Sequence, residues 1–153
     1  MYSKAEVSQL KQEFWTVFGK YLSPHLSSEG EKVNWINYKT GFKSVQFKMD
    51  ANQFKAIIYI EISHPDIEVQ KAYFEKFQAL KAIFQLALQE TWTWESLAEN
   101  AFGKLSGRIF KEQQGVNILD RNSWPSIISF LKPRIISLDG FWNDVKPLFE
   151  ELR

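Results

Sequence analysis

The run Phe54-Lys55-Ala56-Ile57-Ile58-Tyr59-Ile60-Glu61-Ile62-Ser63 constrains this chain more than any other stretch. Its β-branched and aromatic side chains fit a pleated surface and lose rotamer freedom in a helix. Ala56, Ile58, Ile60 and Ile62 share one face of such a strand, and Ile57, Tyr59, Glu61 and Ser63 share the other. Both faces begin apolar, which predicts a central strand covered on both sides over part of its length. Upstream, residues 33–38 read as a strand, Thr40-Gly41 as a turn, and residues 43–49 as a second strand in which Val45, Phe47 and Met49 alternate with Ser44, Gln46 and Lys48. Asp50-Ala51-Asn52-Gln53 supplies the next turn. Strands on connections this short form an antiparallel meander, because a parallel crossover needs about a dozen residues or more.

Helical periodicity brackets these strands. Ser3-Lys4-Ala5-Glu6 has the form of a capping box, and Val7, Leu10, Phe14, Val17 or Phe18, and Tyr21 continue an apolar stripe up to Pro24. His64-Pro65-Asp66 opens a long helix whose apolar face is Tyr73, Phe77, Leu80, Phe84 and Ala87, ending near Glu90. Thr91 to Glu95 reads as a short strand, Glu99 to Gly103 as a connection, and residues 106–113 as a further strand with Ile109 on one face and Arg108, Phe110 and Glu112 on the other. After Asn122-Ser123-Trp124-Pro125, apolar residues fall at Trp124, Ile128, Leu131, Ile135, Leu138, Trp142, Val145, Phe149 and Leu152, an unbroken heptad pattern. Pro133, Gly140 and Pro147 interrupt it and should bend or break the helix. Straight, that segment would run about 42 Å at 1.5 Å per residue, against a radius of gyration of about 15 Å for a compact domain of this length. It either kinks around the core or projects to meet a partner. The predicted order is α-β-β-β-α-β-β-α, a single α+β domain over residues 1–153.

Composition removes several function classes. There is no cysteine, so disulfides, thiolate catalysis and Cys-based zinc sites are excluded. No apolar run approaches the roughly 18 residues of a membrane span, and Met1 to Glu6 lacks the apolar region of a signal peptide, so the expectation is a soluble cytoplasmic protein without a membrane partner. The formal net charge is +1, which argues against a dedicated non-specific DNA binder. Aromatic residues make up 16%, with six tryptophans, and are expected mainly in the core.

Catalytic signatures are sparse. Gly103, Gly107 and Gly115 are spaced as isolated turn or bulge residues and form no phosphate loop. With only His25 and His64, a zinc site would need carboxylates. His64 near Asp66 could be a base with its orienter, but a helix start accounts for Asp66 fully. The opening Phe14-Trp15, the strand Ile58-Tyr59-Ile60-Glu61-Ile62, Phe74-Glu75-Lys76-Phe77, Trp94-Glu95, Ser106-Gly107-Arg108-Ile109, Trp124-Pro125-Ser126-Ile127-Ile128 and Lys132-Pro133-Arg134 together give a resemblance covering nearly the whole chain. It is to a bacterial family known as a domain of unknown function, whose members occur alone or behind restriction-endonuclease-like domains. That family brings no established activity.

A second resemblance is topological: a helix, a three-stranded meander, a helix and a strand is the order of the restriction-endonuclease-like core. Catalytic members of that fold place an Asp around the second strand and Glu-x-Lys on the third, so that two carboxylates hold Mg²⁺ on the scissile phosphate while a lysine helps activate water. The resemblance implies Asp50 and Glu61 as the metal-holding and catalytic carboxylates. Glu61-Ile62-Ser63 has serine where the lysine belongs, leaving Lys48, on the wet face of the preceding strand, as its spatial substitute. The plain alternative for Glu61 is a strand-end carboxylate paired with Lys48 or Arg108.

For nucleic acid, Arg108, Lys111, Arg121, Lys132 and Arg134, interleaved with Phe110 and Trp124, form a modest basic set that could meet phosphates and stack bases. Three readings follow. The first is a non-catalytic interaction module associated with nucleic acid and needing no cofactor. The second is a divergent Mg²⁺-dependent nuclease using Asp50, Glu61 and Lys48. The third is a homodimeric structural protein assembling through the C-terminal helix.

Overall fold

The computed structural model describes residues 2–99 and 102–153. Helix α1 (Lys4–Leu22) starts at the expected capping box: the Ser3 hydroxyl accepts from Glu6 N–H, and the Glu6 carboxylate accepts from Ser3 N–H. It buries Phe14, Phe18 and Leu22. Strands β1 (Val45–Ala51) and β2 (Lys55–Ile62) form an antiparallel hairpin. Helices α2 (Ile67–Ala79) and α3 (Lys81–Leu88) follow, then strands β3 (Thr93–Glu99) and β4 (Leu105–Gln114), and finally α4 (Trp124–Val145), which tightens into a 3₁₀ segment, Lys146–Leu152. The sheet is antiparallel throughout, in the order β1-β2-β4-β3. The fold is α+β, helix first and with a long helix near its C-terminal end, as the periodicities require. The predicted connection Glu99–Gly103 includes residues 100 and 101, which lie outside the described residues.

β2 is central, between β1 and β4. Its face of Ala56, Ile58, Ile60 and Ile62 has no solvent exposure and meets the helices. Among the described residues the opposite face carries no helix: Ile57, Tyr59 and Ser63 are half-buried, and of the four only Glu61 is buried. The expectation of cover on both sides therefore holds for one face alone.

Residues 33–38, predicted as a strand, are not one. The Asn34 side chain accepts from Asn37 N–H, closing a turn that competes with any ladder. Trp35 donates its indole N–H to His25 O, and the Tyr38 hydroxyl donates to Asp139. Aromatic, β-prone residues are here used to fasten a loop to the core. With that strand gone, the observed order is α-β-β-α-α-β-β-α, and the three-stranded meander behind the restriction-endonuclease-like resemblance is a two-stranded hairpin.

Two further differences concern helices. The long helix predicted after His64 divides at Leu80 (φ −99°, ψ 11°). The break sends Tyr73 and Phe77 toward Phe149 and Trp142, and Phe84 toward Trp92, Trp94 and Phe141. In α4, Pro133 and Gly140 lie inside a continuous helix, and only Pro147 coincides with a change, the switch to 3₁₀ geometry. The heptad stripe faces inward: Leu131, Ile135, Leu138, Trp142, Val145 and Phe149 are buried. The apolar surface that would have carried a homodimer through this helix is thus spent on the chain's own core. The tryptophans are core residues too, with Trp35, Trp92, Trp124 and Trp142 buried.

Candidate functional site

The helix-free face of the sheet gathers most of the chemistry that the strands carry. Alternation puts Lys48 and Asp50 of β1, Ile57, Tyr59 and Glu61 of β2, and Arg108, Phe110 and Glu112 of β4 on that one side. All of these but Phe110 line a depression of about 330 Å³, together with Lys55, Glu99 and the exposed Phe102. Tyr59 stands opposite Phe110 in the β2–β4 register, and Arg108 stands opposite Glu61. The Arg108 guanidinium carbon lies 4.4 Å from the Phe110 ring centre and 5.7 Å from that of Tyr59, a stacked cation between two rings.

Of the three predicted catalytic residues, the structure joins two. Lys48 Nζ donates to Glu61 Oε1 at 2.8 Å, so the plain alternative for Glu61, a paired strand-end carboxylate, describes its geometry. Asp50 stands opposite Ile57, four residues along β2 from Glu61, which is about 13 Å at 3.3 Å per residue. One hard cation needs its oxygens at about 2.0–2.6 Å. The two carboxylates do not fit a common Mg²⁺. Among the described residues, no three His, Asp or Glu side chains come close enough together to hold a metal ion. Asp50 Oδ1 instead accepts from Ala51 N–H at 2.8 Å.

Every cation on this face has a carboxylate partner: Lys48 with Glu61, Lys55 with Glu112, and Arg108 with Glu95 at 3.5 Å. Asp50 and Glu99 are then left in excess, so the depression is mildly acidic. Burial raises the Tyr59 phenol above its ordinary value; Lys48 pulls the other way, while Glu61 and Asp50 add to the rise. The phenol is a neutral hydrogen-bonding group at physiological pH.

The basic set is dispersed. Arg108 belongs to the open face. Lys111 lies on the other side of β4 and donates to Thr91 O at 3.0 Å. Arg121 pairs with Glu13 of α1 and sits over Trp124. Arg134 makes a two-pronged contact with Glu90, both at 2.8 Å, and lies over Phe130. Lys132 is a half-buried residue of α4. These five cations do not converge on one surface, and Arg108, Arg121 and Arg134 are already ion-paired within the chain. Burial by itself would raise the Glu90 carboxyl, but hydrogen bonds from Arg134 and Trp92, with the charges of Arg134 and Lys111, outweigh it and hold Glu90 below the usual range.

The residue that sequence reasoning missed is Asp139. It is 1% exposed and accepts from the Tyr38 hydroxyl at 2.5 Å, Ser28 N–H at 2.7 Å and the Asn143 amide at 3.1 Å. All its partners are neutral donors, which makes it a fastener for the long connection between α1 and β1. The available signal was Asp139 beside Asn143 at an i,i+4 spacing next to the apolar stripe.

No helix among the described residues is long and apolar enough to cross a membrane. No curated protein and no solved structure matches the chain. A family model does match, over residues 10–146, and the chain accordingly belongs to the family described as domain of unknown function DUF4268.

Proposed function

We propose that this chain is a non-catalytic interaction module of the cytoplasm, whose working surface is the helix-free sheet face and whose partner is an extended, basic polypeptide segment. The observation that supports this reading is the make-up of the face. Ile57, Tyr59 and Phe110 offer a half-exposed apolar strip, flanked by a surplus of carboxylates. Apolar contact supplies area, and the charge pattern selects a cationic partner and repels polyanions. Affinity for nucleic acid comes chiefly from Lys and Arg that neutralise phosphates, and Lys48, Lys55 and Arg108 are each drawn to a carboxylate already.

One observation favours a second reading, single-stranded nucleic acid. Tyr59 and Phe110 on adjacent central strands, with Arg108 between them, have the form of a base-stacking platform. A nuclease would need Asp50, Glu61 and Lys48 to act together, and their spacing speaks against it.

Fluorescence anisotropy separates these readings. The probes are a labelled peptide alternating arginine and leucine and a labelled single-stranded oligonucleotide, each titrated at two salt concentrations. The expected result is salt-sensitive peptide binding, weakened about tenfold or more by the double change Asp50→Lys and Glu112→Lys, with no oligonucleotide binding. Oligonucleotide binding tighter than peptide binding, lost in Phe110→Ala, would overturn the proposal in favour of nucleic acid. Mg²⁺-dependent cleavage abolished by Glu61→Gln would establish the nuclease instead.

A further inference from the structure

A second concavity, of about 910 Å³, opens at the end of the sheet where β2 leaves and β4 enters, and shares only Phe102 with the depression on the open face. That volume lies in the range of small-molecule sites. Aromatic walls come from Phe42, Tyr73 and Phe102, and the charged groups are Lys43, Lys104 and Arg153. Among the described residues, no Asp or Glu side chain lines it. In a chain whose charges nearly cancel, the described lining is a local concentration of positive side chains.

The groups differ in what they can give a ligand. Arg153 lies 4.1 Å from the Phe42 ring and donates to Gly41 O at 3.0 Å, so it extends the wall and shares its charge with Glu150. Lys43 is exposed. Helix α2 begins at this groove, with Pro65 and Gln70 in the lining, and the positive end of its dipole adds to the field. Asp66 caps Glu68 N–H from outside the lining and answers one donor of that first turn.

Gln70 is the independent sign of a ligand. It is 2% exposed, its Oε1 accepts from His64 N–H at 3.2 Å, and its Nε2 lies under the groove floor with no acceptor. The bond to His64 fixes which end of the amide is the donor. Buried side-chain donors are rarely left in this condition. An oxygen pressed into the floor is the acceptor that the geometry lacks.

We propose that this groove binds a small aromatic oxyanion, an aryl phosphate or aryl carboxylate. Its ring sits among Phe42, Tyr73 and Phe102, and its oxygens are directed to Lys43 and Gln70. The site is distinct from the open sheet face, and each stands or falls separately.

Titration calorimetry with 1-naphthyl phosphate, 1-naphthoate and 1-naphthol tests it. One of the two anions should bind at one per chain and at least ten times more tightly than the neutral naphthol, the tighter anion identifying the oxyanion. Lys43→Glu, at an exposed position, should weaken it about tenfold, whereas Arg121→Glu, the same charge change beside α1, should leave it unaltered. Gln70→Leu should weaken the anions and leave naphthol unchanged, with circular dichroism checking that each variant folds. The proposal is overturned if naphthol binds as tightly as both anions, if Arg121→Glu weakens binding as much as Lys43→Glu, or if none of the three compounds binds at millimolar concentration.

Discussion

Asp139 shows how a single residue can organise a region that has no regular structure. The connection from α1 to β1 runs through residues 23–44, with neither helix nor strand. Its fastenings are Ser28 N–H and the Tyr38 hydroxyl on Asp139, the Trp35 indole on His25 O, and the Trp142 indole on Thr40 O at 2.8 Å. Removing one partner of a buried, charge-assisted hydrogen bond strands the others. Asp139→Ala should therefore lower unfolding stability by about 3 kcal/mol, and Asp139→Asn, which retains an acceptor, by less. Urea unfolding measures both; a loss below about 0.5 kcal/mol for the alanine variant, the range of ordinary surface changes, would show that the loop is held by its aromatic packing alone.

At the scale of elements, the meeting of α2 with β4 depends on a glycine. Gly107 is an interior strand residue that faces the irregularity in the β3–β4 register between Glu95 and Ala98, in keeping with the bulge that the sequence suggests, and it lies directly under Phe74 of α2. A Cβ at that position would stand 2.8 Å from Phe74 Cδ2 and 3.4 Å from the Ile62 Cβ. Phe74 in turn meets the Trp94 ring edge-on at 6.2 Å, so it has little room to yield. Gly107→Ala should cost about 1–3 kcal/mol by overpacking, despite the better strand propensity of alanine. Phe74→Leu in the same background should recover part of that loss, and a double-mutant cycle in urea reads the coupling. Independent effects would mean that α2 shifts as a body to accept the methyl group.

For the whole molecule, two part-buried groups show how stability depends on pH at either end of the scale. Glu90, held low by Arg134, contributes stability that is present above its unfolded value of about 4.3 and is lost as pH falls through the folded value. Tyr38 is shifted the other way: burial, reinforced by the hydrogen bond to Asp139, raises its phenol far above the ordinary value. Its contribution is full below the unfolded value of about 10 and is lost as pH rises beyond it. Stability should be flat from about pH 5 to about pH 10 and should fall on both sides. Glu90→Gln should shallow the acid limb and Tyr38→Phe the alkaline limb, as followed by thermal unfolding across that span. An alkaline limb unaltered in Tyr38→Phe would assign it to other groups.

The elements were legible because their residues obey local rules. The Ser3 and Glu6 side chains close a helix start with nearby partners, and the alternation from Ala56 to Ile62 defines a strand from its own pattern. Residues 33–38 misled for the converse reason: Val33, Trp35, Ile36 and Tyr38 carry strand propensity, but Trp35 bonds back to His25, ten residues earlier in the same connection, and Tyr38 to the distant Asp139 of α4. The candidate site was legible residue by residue and illegible as an arrangement. Glu61 could be singled out in the sequence, but only the β1–β2 register shows that Lys48 reaches it and Asp50 does not.

By itself, the sequence determined the α+β class, the central place of the strand ending in Glu61-Ile62, and the apolar stripe of the last helix, since these depend on periodicities of two and 3.6 residues. Only the tertiary structure decided that one sheet face stays open, that the C-terminal stripe is used internally, and that the groove beside α2 gathers cations, with no carboxylate side chain among the described residues of its lining. Those are properties of residues far apart in the chain, and no periodicity records which distant segments come to lie side by side.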